Sequence, residues 1–192
     1  ALKANLGDLP KGATLIIDTH DFTSRALARI GWTSSPLEDG TLDGFSVHAL
    51  DLTQMTLDAL AGSELSRKDA GRSKNMFALG LLSWMYSRPT EHTTEFISTK
   101  FAAKPDIAQA NLAAFKAGYH FGETTEAFAV SYEIKPAALR SGRYRNITGN
   151  LALAYGLIAA SRRAERPLFL GAYPITPASD ILHELSKHKR FG

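Results

Sequence analysis

The stretch richest in chemistry is Leu168-Phe169-Leu170-Gly171-Ala172-Tyr173-Pro174-Ile175-Thr176-Pro177-Ala178-Ser179. It reads as a strand, a stiff double-proline turn and the start of a helix. A proline restricts the residue before it, so Pro177 pushes Thr176 out of the α region and into the backbone conformation of an N-cap. Pro177 itself suits the first helical turn, where a missing N–H costs nothing. The Thr176 hydroxyl and the N–H groups behind Pro177 are then expected to point at one spot, with the positive end of the helix dipole added. Such a spot favours a carboxylate or a phosphate. It also lies at the carboxyl end of a strand, where open α/β sheets hold ligands. An ordinary capped strand-to-helix turn has the same spacing, and spacing alone favours that plainer description.

Two blocks of elements have to position this turn. In the first, a compact β-branched run at 13–17 is followed by capping residues and a helix at 22–30 that Gly31 ends. A second strand at 45–50 and a short helix at 53–60 come next. Strand–helix–strand–helix at this spacing predicts crossover units and a parallel sheet, hence an α/β fold. From Ser73 the character turns helical. Residues 76–86 leave almost no polar face, so that helix is expected to be buried or covered. A helix at 91–101 follows, and Pro105 opens a third, with Ala108, Leu112, Phe115 and Tyr119 on its stripe and Gly118 weakening its end. Residues 127–134 look extended.

The composition then shifts. Lys135, Arg140, Arg143 and Arg145 stand against Glu133, and with Pro136, Ser141 and Gly142 they make residues 133–145 a basic linker between domains. Beyond it, 149–163 is a strong helix with Ala154, Leu157, Ile158 and Ser161 on one stripe. Residues 168–170 form a strand, and 177–188 a last helix with Ile181, Leu182 and Leu185 inward.

The 192 residues amount to one ordinary domain, or one plus part of a second. With 44% hydrophobic and 21% charged residues a packed core is feasible. A formal charge of +3 is too small to announce a nucleic-acid binder. The absence of cysteine decides more. No disulfide framework, cysteine-ligated iron–sulfur cluster, thiol nucleophile or zinc finger can lie on this chain. No apolar run approaches the roughly 18 residues of a membrane span. The opening Ala1-Leu2-Lys3-Ala4-Asn5 has neither an initiator Met nor a signal pattern, so the chain reads as a cytoplasmic fragment of a longer polypeptide.

Tyr173-Pro174-Ile175-Thr176-Pro177-Ala178-Ser179, preceded by Gly149-Asn150 and a small-residue helix, resembles the start of the alpha-type domain of 2-oxoacid:ferredoxin (acceptor) oxidoreductases, which are thiamine-diphosphate enzymes. Asp180-Ile181-Leu182-His183-Glu184-Leu185 resembles the 2-oxoglutarate branch. Upstream, Asn75-Met76-Phe77-Ala78-Leu79-Gly80, Lys100-Phe101 and Asn111 through Lys116-Ala117-Gly118-Tyr119 resemble the gamma-type domain fused ahead of alpha. Tyr144-Arg145-Asn146-Ile147-Thr148-Gly149-Asn150 resembles the junction of that fusion.

The resemblance implies a fold and a division of labour. Residues 1–132 would be the later, incomplete part of a parallel-sheet gamma-type domain. After the linker at 133–145, residues 146–192 would be the first helix–strand–helix of the thiamine-diphosphate-binding alpha-type domain. The reaction implied is oxidative decarboxylation of a 2-oxoacid, 2-oxoglutarate in this branch, to an acyl-coenzyme A, with electrons passed to ferredoxin. Thiamine diphosphate and Mg2+ would be shared with a beta-type partner subunit that also carries a 4Fe–4S cluster, with coenzyme A as co-substrate. None of these would be held firmly by this chain, and neither nucleic acid nor membrane is implied as a partner.

Thr176 falls where the family's threonine helps bind the 2-oxoacid carboxylate, with Tyr173, Pro174, Ile175 and Pro177 shaping the loop. Two departures matter. Leu151 stands where relatives commonly carry Glu, so it is assigned no catalytic role. The glutamate that activates thiamine and the arginine that shares the carboxylate lie further along in the family, so no catalytic residue is expected within this chain and it should be silent alone.

Other readings are weaker. His183 and His188 are five apart, about 140° around a helix, and miss the four-residue spacing of a zinc pair. Asn146-Ile147-Thr148 is formally a glycosylation acceptor without a secretion signal. No nucleophile elbow and no Walker or dinucleotide glycine fingerprint is present. Arg67, Lys68, Arg72 and Lys74 read as a solvated face. The rival functions are a pyruvate- or branched-chain-type oxidoreductase, a non-catalytic interaction module using the helix at 76–86, and a nucleic-acid binder using the basic linker.

Overall fold

The computed structural model describes residues 2–125, 128, 131–173 and 175–191. The chain divides into two compact units, Ala1–Pro136 and Ala137–Gly192. Among the described residues no helix is long and apolar enough to cross a membrane.

The first unit opens with a single helical turn, α1 (Leu2–Asn5), and then β1 (Thr14–Asp18). The parallel partner of β1 is β2 (Ser46–Leu50), in register from Thr14 opposite Ser46 to Asp18 opposite Leu50. Parallel neighbours need a crossover, and the connection carries α2 (Ser24–Arg29). Thr23 caps α2 by accepting from the Ala26 N–H, and Gly31, at φ +74°, turns the chain out of it. Asp51 caps α3 (Leu52–Ala59) and Ser66 caps α4 (Arg67–Gly71). Then come α5 (Lys74–Met85), α6 (Glu91–Lys100) and α7 (Pro105–Thr124), the last with its proline in the first turn.

α5 and α7 cross with their backbones in contact. A β-carbon on Gly80 would overlap the Phe115 carbonyl, and one on Gly118 would overlap the Phe77 carbonyl. At Gly122 it would lie 2.6 Å from the Trp84 ring. The buried face of α7 is therefore Ala110, Asn111, Ala114, Phe115, Gly118 and Gly122. Of the expected stripe only Phe115 is fully buried, while Ala108, Leu112 and Tyr119 are half-buried. That stripe follows the periodicity of Leu112, Phe115 and Tyr119, whereas the crossing selects small residues that let two helices approach. Gly118, expected to weaken the helix end, is the contact point itself.

Leu52, Phe77 and Ala114 form the centre of this core, with Ile16 and Leu50 of the sheet packed on it. Leu81, Met85 and Phe128 make a second cluster. Of the helix expected to be buried or covered, Phe77, Gly80, Leu81, Ser83 and Met85 are buried within the chain, and Leu79, Leu82 and the following Tyr86 are exposed. Of the segment expected to be extended at 127–134, residues 127, 129 and 130 lie outside the described residues. Phe128 and 131–134 belong to no strand. Phe128 packs 4.3 Å from the His48 ring, and the Tyr132 N–H donates to the Met85 carbonyl at 2.6 Å. Residues 133–148 are exposed and form neither helix nor strand.

The second unit consists of α8 (Gly149–Ala164) packed on α9 (Ser179–Ser186). Thr148 caps α8 by accepting from the Leu151 N–H. The predicted stripe is the inward one: Ala154 is buried, and Leu157, Ile158 and Ser161 are half-buried. The strand expected at 168–170 is not formed. A strand needs a neighbour to complete its hydrogen bonds, and the described residues of this unit offer none. Leu168 and Leu170 instead line a cavity of about 260 Å3 with Ile158, Leu182 and Leu185. Phe169, pointing the other way, is 91% exposed. The architecture is thus α/β in the first unit, with a small parallel sheet, and two helices joined by an irregular segment in the second.

Candidate functional site

The turn before α9 is closed by its own backbone. The Ile175 carbonyl accepts from the Ser179 N–H at 3.0 Å and from its hydroxyl at 3.2 Å. The Pro177 carbonyl accepts from the Asp180 N–H at 3.2 Å, and the Ala178 carbonyl from the Ile181 N–H at 3.1 Å. The first-turn amides expected to be free for an anion are therefore engaged. The N-cap is Ala178, in the α region and without a side-chain cap bond, so Thr176 is not the cap and Pro177 is not in the first helical turn. Residues 175–178 already coil, and the helix's orphan donors find carbonyls three or four residues back instead of the threonine oxygen.

What the turn leaves open is side-chain chemistry. Thr176 and Pro177 are exposed, as are Tyr173 at 81% and Ile175 at 57%. Pro174 lies outside the described residues. The side chain of Thr176 makes no hydrogen bond to a described residue. Four of the five expected site residues therefore sit on one exposed segment, with a neutral hydroxyl and a phenol as its donors. Such donors suit the oxygens of an anionic headgroup. They lack the negative charge that Mg2+ draws from carboxylates or an iron–sulfur cluster from thiolates.

Asn150 holds this segment to α8, the first helix of the unit. Its side-chain amide donates to the Pro177 carbonyl at 3.0 Å. Sequence reasoning set Asn150 in the motif without finding that role. The available signal was an Asn in a first turn that Thr148 already caps, a polar group with no local task left. At the far end of α9, Glu184 accepts from Lys187 at 2.7 Å and pairs with His188 at 3.1 Å. Those two bonds, Lys187 first, hold its carboxyl below the usual range. His188 lies beyond α9 and meets Tyr155 edge-on at 5.6 Å. Among the described residues no group of three or more His, Asp or Glu side chains gathers to hold a metal.

The first unit has its own polar centre, at the carboxyl ends of both strands. Asp18 accepts from the Thr53 hydroxyl at 2.8 Å, Lys74 at 3.1 Å, the His20 N–H at 3.3 Å and the Thr53 N–H at 3.4 Å. Lys74 also reaches Asp21 at 3.2 Å. Burial pushes the Asp18 carboxyl up, but the bonds from Thr53, Lys74 and His20 outweigh it and hold it below its ordinary value. Burial likewise works against the Lys74 ammonium, and its bonds and attraction to Asp18 and Asp21 outweigh it and raise the pKa. With its oxygens this fully engaged, Asp18 is a fastening between β1 and the starts of α3 and α5. The expected solvated face of Arg67, Lys68, Arg72 and Lys74 is thereby divided. Lys74 turns to Asp18, Arg72 pairs with Asp69 at 2.8 Å, and Arg67 donates to Gln54 at 3.1 Å.

Comparison with known proteins adds to this geometry. The family described as pyruvate ferredoxin/flavodoxin oxidoreductase matches residues 1–121. The 2-oxoglutarate oxidoreductase subunit KorA of Mycobacterium tuberculosis is 57% identical over 192 residues, which are 100% of this chain and 29% of that protein. Subunit alpha of 2-oxoacid:ferredoxin oxidoreductase 2 from Aeropyrum pernix is 28% identical over 148 residues, 76% of this chain and 22% of that protein. Among solved structures, 2-oxoglutarate:ferredoxin oxidoreductase from Magnetococcus marinus, with 2-oxoglutarate, coenzyme A and succinyl-CoA bound, has a TM-score of 0.64 at 23% identity, covering 97% of this chain and 28% of that one. That last likeness is one of fold. The chain spans under a third of the length of these relatives.

Proposed function

The chain belongs to the pyruvate ferredoxin/flavodoxin oxidoreductase family, and from that premise we propose that it is part of the substrate-handling subunit of a cytoplasmic 2-oxoglutarate:ferredoxin oxidoreductase. The observation that carries this reading is the 57% identity to a 2-oxoglutarate oxidoreductase subunit over all 192 residues. The overall reaction is coenzyme A-dependent oxidative decarboxylation of 2-oxoglutarate to an acyl-CoA. The first 132 residues serve as a gamma-type domain and residues 146–192 as the front of the alpha-type domain, with 133–145 as the link. The irregular segment around 168–170 becomes a strand once the rest of its sheet is beside it.

Within that assembly the task of this chain is binding and orientation. The Thr176 hydroxyl donates to a carboxylate oxygen of the 2-oxoacid. Ile175 and Pro177 present apolar surface beside it, Tyr173 and Pro174 shape the entry, and the Asn150 bond to the Pro177 carbonyl fixes where the hydroxyl stands. A hydrogen bond to an ionised group contributes about 1.5–3 kcal/mol when water is excluded. Thiamine diphosphate and Mg2+, shared with a beta-type partner that also carries the 4Fe–4S cluster, would supply the carbon-centred and electron chemistry. No proton-transfer role is assigned to a residue of this chain, and the piece alone is inactive.

The test is turnover by the full-length subunit assembled with its beta-type partner and ferredoxin. Coenzyme A-dependent ferredoxin reduction should be faster with 2-oxoglutarate than with pyruvate or a branched-chain 2-oxoacid. Preference for either of the others overturns the assignment of substrate, and no reduction with any 2-oxoacid overturns the reading altogether.

A further inference from the structure

α9 has eight residues, too few for a helix to stand alone in water, so its place depends on α8. Leu182 and Leu185 share an apolar cavity with Ile158 of α8. Apolar contact is non-directional, and by itself it leaves α9 free to slide or swing. Direction comes from polar links. Among the described residues, two side-chain hydrogen bonds join α8 to the segment 175–188. At the front, Asn150 donates to the Pro177 carbonyl at 3.0 Å. Further along, the Tyr155 phenol donates to Oε1 of Glu184 at 3.4 Å. The two donors stand about 7.5 Å apart along the α8 axis. One link holds a point, and two hold a direction.

The second link is built on a carboxylate whose oxygens are divided between the helices. The Glu184 side chain keeps 16% of its surface exposed. Its Oε2 takes the Lys187 ammonium at 2.7 Å, while Oε1 is shared by the Tyr155 phenol and by Nε2 of His188 at 3.1 Å. The bonds from Lys187 and His188 hold the carboxyl below its usual range, so at neutral pH Tyr155 meets a charged acceptor. Such a bond is roughly twice as strong as one between neutral groups. The His188 ring also meets the Tyr155 ring edge-on at 5.6 Å, so Tyr155 is gripped at both its hydroxyl and its ring. Its hydroxyl has no other hydrogen-bond partner among the described residues. Pairs between Glu184 and Lys187 or His188 are ordinary neighbours along one surface. The phenol reaching across from α8 is what makes them a joint.

We propose that Glu184 is a positioning residue for the 2-oxoacid: by fastening α9 to Tyr155 it fixes the direction in which the front of α9 presents the Thr176 hydroxyl. Asn150 sets where the turn lies, and Glu184 sets how it is aimed. Lys187 and His188 hold the carboxylate in place for Tyr155. This inference rests on the reading of Thr176 as the donor to the substrate carboxylate. That bond is made on binding, before any carbon bond breaks, so a misplaced hydroxyl raises KM more than it lowers kcat.

The experiment is steady-state kinetics of the full-length subunit assembled with its beta-type partner, for Tyr155→Phe and Glu184→Ala, each alone and combined with Thr176→Val. Tyr155→Phe keeps the ring and removes only the link, so it carries the test even if Glu184→Ala fails to assemble. Each single variant should raise the KM for 2-oxoglutarate by about three- to tenfold, with kcat within about twofold and the KM for coenzyme A unchanged. Beside Thr176→Val neither should raise it further, because no hydroxyl is left to aim. An unchanged KM in Tyr155→Phe overturns the inference. So does a rise that persists in full beside Thr176→Val, which marks a merely structural joint and leaves the reading of Thr176 standing. That reading falls, and the positioning role with it, if Thr176→Val alone keeps the parent kcat/KM for 2-oxoglutarate.

Discussion

Asp18 in the first unit and Thr176 in the second both stand at the mouth of a helix, yet they are held by opposite means. Asp18 rests on a packed core, with its carboxylate filled by Thr53, Lys74 and the His20 amide. Thr176 lies on an exposed turn whose backbone satisfies itself and which a single Asn150 bond ties to α8. The first arrangement spends its polar groups on structure and leaves nothing for a ligand. The second leaves its hydroxyl unspent, which is what a binding group requires and what makes it a weak contributor to stability.

This contrast can be broken at its strongest point. Gly118→Val forces a side chain into the Phe77 backbone. Overpacking against backbone that cannot yield is expected to cost about 3 kcal/mol in urea unfolding of the first unit. A cost below 1 kcal/mol would mean that α5 and α7 are not closely crossed. Asp18→Ala comes next, at about 1–3 kcal/mol, because the Thr53 and Lys74 donors lose their acceptor in a partly buried place.

The pH dependence sharpens the same point. Asp18 is held below its unfolded value, so its stabilisation is present above about pH 4 and is lost as pH falls through the lower folded value. Lys74 is raised, so its share is present below about pH 10 and is lost as pH rises through the folded value. Acid unfolding of Asp18→Ala should therefore show a shallower loss below pH 4 than the parent chain. The smallest effect belongs to the second unit. A β-carbon at Gly156 of α8 meets nothing within 4 Å, so Gly156→Ala should raise stability by about 0.5–1 kcal/mol. A loss on thermal unfolding would show that this face of α8 is covered.

Sequence reasoning reached the elements whose cause is local. The parallel strands, the α8 stripe of Ala154, Leu157, Ile158 and Ser161, and the proline opening of α7 follow from periodicity and turn residues. Three features were out of its reach for a common reason. The glycine crossing of α5 and α7, the Asp18–Lys74 fastening and the missing strand at 168–170 are each decided by a partner distant in the chain. At the candidate site, the prolines and the motif mark a turn ahead of the last helix, and a turn stands at 176–178. The state of its amides was not legible, since a coil at 175–178 and a Thr176 cap both satisfy the same spacing.

The account rests on the Thr176 hydroxyl meeting the carboxylate of the 2-oxoacid. Steady-state kinetics of Thr176→Val in the assembled full-length enzyme address this most directly, with the KM for coenzyme A as an internal control. Loss of a hydrogen bond to an ionised group predicts a fall of about ten- to a hundredfold in kcat/KM for 2-oxoglutarate, with the KM for coenzyme A unchanged. A kcat/KM for 2-oxoglutarate equal to that of the parent enzyme would contradict it.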